Sequence, residues 1–417
     1  MDTFPVATTP APGLMAVDWE NRVDFERLRQ YRLARVKEQM EAFGLGALLL
    51  FETSNIRYAT ATQIGYWAFN KGERWVLVTR EGRPKIWDFG SAAKAHRLQL
   101  PHMYDEENSI GGNTGLQGAI GPEVGLHERA AKEIAAELRD RGVGGEPVGV
   151  DMAETSVFLE LARQGVHVVD GQQPMMHARE IKSPDEIMLL TQASAMVDGL
   201  YHEIFEMLKP GVRESDVVAL AHARLFEMGS EFVEAINSIA GERCSPHPHV
   251  FSDRMIRPGD QAYFDIIHAF NGYRTCYYRT FVVGRATQAH RDAFKQAREW
   301  MDAAIELVRP GNTTDQIAAV WPKAEEFGFV DEMDAFGLQF GHGVGIGLHE
   351  RPIISRLNSF DDPVEIKEGM YFALETYAPA GDGRSAARIE EMMVVTKDGP
   401  LVTTLFPCEE LMVANEY

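Results

Sequence analysis

From Glu26 to Phe43, apolar residues recur at mostly three- and four-residue steps, at Leu28, Tyr31, Leu33, Val36, Met40 and Phe43, and Gly44 follows. That spacing predicts an amphipathic helix closed by a glycine. The run Ala47–Phe51 is short and continuously apolar, as a buried strand is. Further strand-like runs fall at Trp75–Thr79, Lys85–Phe89, Val148–Asp151 and Val166–Val169, with a helical period near Arg129–Arg141. Together they predict an α/β pattern over the first ~170 residues. No glycine-rich phosphate fingerprint sits at any of its strand–helix junctions, so nothing there points to a nucleotide.

The Pro-, Thr- and Ala-rich residues 1–15 read as a loose tail, which leaves 16–178 for the N-terminal domain. Arg179–Glu186 reads as the entry to a second domain, 179–417. There Ser183 can cap a helix whose first position is Pro184, and Asp185 and Glu186 suit the positive end of the helix dipole. Beyond it the pattern predicts helices near 185–207 and 213–228, strands near 262–283, helices near 286–307 and 314–327, and a strand-rich end from Tyr371 to Met412. This half is expected to be α+β, with no internal repeat evident along it.

Composition narrows the function. The 417 residues carry a net charge of −21 with 45% apolar and 25% charged positions, the profile of a globular protein. Such an acid excess repels polyphosphate and anionic lipid, and no Lys/Arg cluster offsets it, so neither nucleic acid nor membrane is an expected partner. No apolar run approaches the ~18–20 residues that span a bilayer. The start Met1-Asp2-Thr3-Phe4-Pro5 has no basic and apolar signal pattern, and a cytoplasmic location is expected. Cys244, Cys276 and Cys408 are odd in number and far apart, which argues against a disulfide framework.

The chemistry concentrates in the second half. Between Tyr263 and Val283, two strand-like runs are joined by Asn271-Gly272, the pairing that favours a two-residue type I′ turn. That turn sets Phe270 opposite Tyr273, Asp265 opposite Tyr278 and Cys276 opposite Ile267. Asp265 and Cys276 are then diagonal neighbours ~7–8 Å apart on one face. Arg274, Cys276 and Tyr278 share that face, where an arginine and a phenol can bind a substrate carboxylate or lower the pKa of the thiol. His268 points the other way and reads as a packing or surface histidine.

The run Gly341-His342-Gly343-Val344-Gly345-Ile346-Gly347-Leu348-His349-Glu350-Arg351-Pro352 embeds two histidines in a glycine-rich loop that lets backbone and imidazole approach a ligand. It lacks the Gly-Lys-Ser/Thr ending of a phosphate loop. Glu375 and Glu390 each interrupt a strand-like apolar run, and a carboxylate is buried there only when paired, protonated or bound to a cation. Asp265, His342, Glu375 and Glu390 form a set suited to Mn²⁺, Fe²⁺, Co²⁺ or Zn²⁺, while Arg388 is an obvious salt-bridge partner for either glutamate.

The order and spacing of these residues resemble the pita-bread family of methionine aminopeptidases, Xaa-Pro aminopeptidases and prolidases, with metal-free relatives such as creatinase. The resemblance rests on Arg179 to Ile187, Arg257-Pro258-Gly259-Asp260, Asp265 with Gly272-Tyr273 and Arg279-Thr280-Phe281, Gly341 to Pro352, Glu375, and Arg388-Ile389-Glu390; Asn55-Ile56-Arg57-Tyr58 resembles the N-terminal domain of longer members. It implies a creatinase-like N-terminal domain, a catalytic pita-bread domain and a homodimer or higher oligomer. It also implies metal ligands at Asp265, position 276, His342, Glu375 and Glu390, with Cys276 standing where the family has an aspartate that bridges two metals. A thiolate offers one soft donor atom, so the expected cofactor is one divalent transition metal or none.

Two enzymatic readings follow. A single metal bound by His342, Glu375, Glu390 and Asp265 polarises an amide or activates water. Alternatively the site is metal-free, and a histidine does the acid–base work on a small zwitterion. His247 or His249 falls where the family places a substrate-facing histidine, His349 is expected to bind substrate or the developing oxyanion, and Arg388 to orient Glu390 or Glu375. A nucleophilic Cys276 is a minority reading beside a small buried residue that fills the space of a lost metal. The tract Arg243 to Asp253 resembles the family's dimethylsulfoniopropionate lyase branch. The expected function is hydrolysis of a C–N bond in a short peptide or small compound. A purely binding module predicts loss of His342, His349 and both glutamates, and all four are present.

Overall fold

A computed structural model describes residues 23–69 and 72–417; the expected tail 1–15 lies outside them. The first helix, Phe25–Ala42, buries Leu28, Arg32, Val36 and Met40 at four-residue intervals, and Asp24 caps it by accepting from the amides of Glu26 and Arg27. Gly44 follows at φ +65°, a conformation that costs a glycine nothing. Ala47–Leu50 then forms the centre of a six-stranded mixed sheet. Trp75–Thr79 pairs antiparallel on one side of it and Val148–Val150 parallel on the other. The predicted strand Val166–Val169 is observed as Val168–Asp170, at the edge of the sheet, and the predicted helix near Arg129–Arg141 as Leu126–Asp140.

Ser183 caps Pro184–Met207 as its sequence requires, accepting from the Glu186 amide while the Glu186 carboxylate accepts from the Ser183 amide. Beyond it, two five-stranded sheets are packed with the helices Glu214–Glu227 and Gln288–Glu306, close to the predicted 213–228 and 286–307. In one, Gln261–Phe270 is flanked by Phe232–Ala240 and Tyr278–Val283; in the other, Tyr371–Pro379 lies between Phe340–Gly343 and Ala386–Thr396. The sheets meet where the Arg279 guanidinium donates to the carbonyls of Glu390 and Phe406, and where the Thr280 hydroxyl and the Arg388 backbone bond to each other. An α/β domain followed by an α+β domain is what the sequence pattern predicts.

Three expectations need correction. The helix expected over 314–327 stops at Ala318 and resumes only as a short 3-10 turn, Ala324–Phe327. Pro322 forces that break, because it has no amide to donate and disfavours helical backbone at Trp321. A repeat is present after all. Gly211 donates to the Ile256 carbonyl and Ile256 to that of Val212, and Gly311 and Ile366 repeat both bonds with Asn312 as the last acceptor. Each glycine follows a basic residue and a proline, in Lys209-Pro210-Gly211 and Arg309-Pro310-Gly311. Finally, the glycine-rich run is not wholly a loop, since Phe340–Gly343 and Glu350–Ile354 are paired strands around a turn. Among the described residues, no helix is long and apolar enough to cross a membrane.

Candidate active site

The hairpin has the register its turn dictates. Asn271 and Gly272 both have positive φ, at 49° and 89°, Phe270 pairs with Tyr273, and Asp265 with Tyr278. Asn237 pairs with Asp265 from the other side, so Asn237, Asp265 and Tyr278 form one row across three strands. The ladder breaks between Arg274 and Tyr278, however, and Cys276 does not pair with Ile267 as expected. The Thr275 hydroxyl takes the Ile266 carbonyl at 2.9 Å, and the released chain turns Cys276 inward, with Sγ 3.7 Å from Asp265 Oδ1.

The facing sheet supplies a second row. Phe340 pairs with Glu375, Glu375 with Glu390 and Tyr377 with Arg388, so His342, Glu375, Arg388 and Glu390 share one face. Glycine is needed at the strand carrying His342, because a Cβ on Gly343 would lie 2.2 Å from the Arg351 carbonyl oxygen. His342 Nδ1 bonds the Gly343 carbonyl at 2.9 Å, which places the proton on Nδ1 and leaves the Nε2 lone pair free, 3.8 Å from Glu390 Oε1. Sγ of Cys276, an imidazole nitrogen of His342 and a Glu390 oxygen all lie within 4.8 Å of one another.

Charge is badly balanced here. Asp265, Glu375 and Glu390 are buried with one cation, Arg388, which bonds Glu375 and the Gly337 carbonyl. Among the described residues, neither buried oxygen of Glu390 has a hydrogen-bond partner. Burial pushes the Asp265 carboxyl up to about 7, helped by the charge of Glu375. Burial raises Glu390 well above the usual range, with Glu375 and Asp265 adding to it; it raises Glu375 too, against the pull of Arg388. His342 is lowered to about 3 by burial and by His349. Burial and the three carboxylates raise the Cys276 thiol well above its ordinary value, so lowering that thiol, one of the two roles the sequence left open for Arg274 and Tyr278, is not what they do. Arg274 Nε is committed instead to Glu234 at 2.5 Å.

The remaining expected residues fall around this core. His349 is exposed, its ring 4.7 Å from that of His342. Of the two histidines whose register the sequence left open, His247 turns inward. Its Nε2 lies 2.8 Å from the Tyr278 hydroxyl, whereas His249 is exposed, with its ring 3.8 Å from that of His247. The Tyr278 oxygen also accepts from Asn237 Nδ2 at 3.0 Å, and the same amide donates to Asp265 Oδ2 at 3.0 Å. His268 is a packing residue, its ring nitrogens engaged by the Ser230 hydroxyl and the Ala193 carbonyl.

Asn237 and Glu234 were not singled out from the sequence, although a polar residue in the apolar run Val233–Ala240 is the same signal that marked Glu375. Glu350 has another task. Lys182 Nζ at 2.8 Å, Arg179 Nε at 3.3 Å and the Gly347 amide at 2.8 Å all converge on its carboxylate, fixing the turn that carries His349 to the domain entry. A cavity of about 1150 Å³ in the N-terminal domain gathers Arg80, Arg83, Lys85 and Arg141, each already paired with an acid, and none of the residues above lines it.

A creatinase-like domain joined to a two-sheet domain with an acid- and histidine-lined centre defines a class of metallohydrolase fold. The sequence profile of metallopeptidase family M24 matches residues 188–397, and that of the creatinase/prolidase N-terminal domain matches 32–181. The chain belongs to metallopeptidase family M24, and it is an enzyme of that family. It is 31% identical over 280 residues to the probable dipeptidase PepE of Mycobacterium tuberculosis, covering 65% of this chain and 72% of that protein. It is 25% identical over 408 residues to the dimethylsulfoniopropionate lyase DddP of Roseovarius nubinhibens, covering 94% of this chain and 89% of the lyase. A prolidase from Thermococcus sibiricus superposes with a TM-score of 0.74 at 21% identity, over 94% of this chain and all of the prolidase.

Proposed function

We propose that this enzyme hydrolyses a C–N bond in a short peptide or small amide, with peptides bearing proline after the scissile bond as the first substrate class, at a centre that holds no more than one divalent ion. The observation that carries the reading is Glu390, a fully buried carboxylate with neither oxygen hydrogen-bonded among the described residues, beside a free His342 nitrogen and two further acids. That donor set fits a divalent transition metal, because a dication is what allows crowded buried carboxylates to ionise together. When bound, such an ion polarises a carbonyl and lowers the pKa of water.

The chain's own residues do the rest. Arg388 holds Glu375 in one orientation against the centre. The exposed His349 offers a ring N–H to the carbonyl oxygen as negative charge develops. Because Asn237 donates to the phenol, the phenol donates to His247 Nε2, which leaves the His247 proton on Nδ1, a buried donor with no partner among the described residues. A substrate carbonyl or carboxylate answers that donor. Arg274 stays with Glu234 and orders the rim.

The test is hydrolysis of Xaa-Pro dipeptides before and after chelation. Activity lost with the metal and restored by its return supports the reading. A second reading, elimination on a small zwitterion, is favoured by the match to the lyase along nearly the whole chain. Release of an alkene from a β-sulfonio carboxylate without peptide hydrolysis would move the assignment there. Neither activity in folded, metal-replete protein would overturn both.

A further inference from the structure

We propose that Cys276 is itself a metal ligand, and that Cys276, His342 and Glu390 form a three-donor centre selective for one zinc ion with its fourth position open. This rests on the metal-dependent reading above and deepens it. Three independent features meet at one point. The donor atoms of the three residues lie within 4.8 Å of one another, whereas the edge of a tetrahedron with metal bonds of ~2.0–2.3 Å is about 3.5 Å, so small side-chain rotations close the site. His342 Nδ1 is held by the Gly343 carbonyl, which aims Nε2 and fixes its tautomer as a ligand histidine requires. Glu390 has two buried oxygens with no hydrogen-bond partner among the described residues, while the other acids are engaged, Glu375 by Arg388 and Asp265 by Asn237.

The thiol decides which ion binds. Sulfur is soft, and a Cys/His/carboxylate set favours zinc over the harder Mn²⁺ and Mg²⁺, which prefer oxygen. A carboxylate at position 276 would present two oxygens to two ions, whereas Sγ occupies one vertex and brings no second donor. On binding, the S–H bond breaks and an S–Zn bond replaces a zinc–water bond, and the protons of Sγ and of the buried Glu390 carboxyl leave to solvent, so the step needs no oxidant or reductant. Thiolate and Glu390 together neutralise the dication, and the vertex left open is the one a catalytic rather than structural zinc keeps.

The decisive measurement is the absorption spectrum of protein stripped of metal and titrated with Co²⁺, a zinc surrogate whose thiolate complexes absorb in the near ultraviolet. The expected result is one Co²⁺ per chain with a thiolate charge-transfer band, displaced by Zn²⁺ but not by equimolar Mn²⁺. Cys276→Ser should lose the band and at least tenfold in zinc affinity, while Cys244→Ala keeps both. Cys276→Asp should bind metal without the band and shift its preference toward Mn²⁺. Co²⁺ bound by the native protein without a band, or unchanged zinc affinity in Cys276→Ser, overturns the assignment of Cys276 and leaves metal-dependent hydrolysis standing. Failure of the native protein to bind any of these ions overturns both. The native spectrum settles the question even where a variant does not fold.

Discussion

Each half of the molecule buries a cluster of ionisable side chains, and the two clusters are built on opposite terms. In the N-terminal domain, Asp88 is fully buried but pairs with Arg74 at 3.2 Å and His96 at 2.5 Å and accepts from the Phe89 amide. In the C-terminal domain, three buried carboxylates share the Arg388 guanidinium, and Glu390 accepts no hydrogen bond from the described residues. Desolvating a charge costs several kcal/mol unless partners replace the lost water. A cluster that replaces it fully is a structural device. One that leaves it unreplaced either keeps its acids protonated or takes a cation from outside, and it is at that second cluster that the expected site residues Asp265, Cys276, His342, Glu375 and Glu390 converge.

The largest contrast comes from removing one acid of each kind. Glu390→Gln should lower turnover about 10³-fold and reduce metal per chain with little change in melting temperature, since a neutral amide no longer draws a cation. Asp88→Asn should do the reverse, costing about 3–5 kcal/mol in denaturant unfolding while turnover per folded molecule stays unchanged, because Arg74 is left buried and unpaired. Similar stability losses in the two variants would erase the distinction.

Glu350 sharpens it, being a paired acid beside the unpaired ones. Lys182 and Arg179 outweigh its burial and hold its carboxyl below the usual value. Its ionisation therefore stabilises the fold fully above about pH 4.5, and that contribution is lost as pH falls further. Glu350→Gln should cost about 3 kcal/mol at neutral pH and flatten the acid limb of a stability-against-pH curve. A wild-type slope in the variant would assign the acid limb to other groups. The smallest effect is expected at the edge of the site. Tyr278→Phe removes one hydroxyl between Asn237 and His247 and should lower kcat about tenfold with KM nearly unchanged, at a stability cost of ~1 kcal/mol.

Local chemistry was the legible part. Asn271-Gly272 has one favoured hairpin geometry, and period two along the strands then sets Tyr278 opposite Asp265. Ser183 before Pro184 caps a helix for reasons confined to four residues. What failed in the sequence reading depended on a competing local group or on a remote one. The Thr275 hydroxyl displaced a ladder bond and so turned Cys276; the Pro322 ring broke a periodic helix; Glu234, distant in sequence, claimed Arg274.

By itself, the sequence determined the two-domain α/β then α+β order, the hairpin register and the inventory of donors, because each follows from side-chain periodicity or turn stereochemistry within a few residues. Only the tertiary structure decided which donors meet and which remain unpartnered. Cys276, His342 and Glu390 come from separate strands on two sheets, and whether a buried carboxylate is satisfied depends on every group the fold brings within about 3 Å of it, which no local pattern encodes.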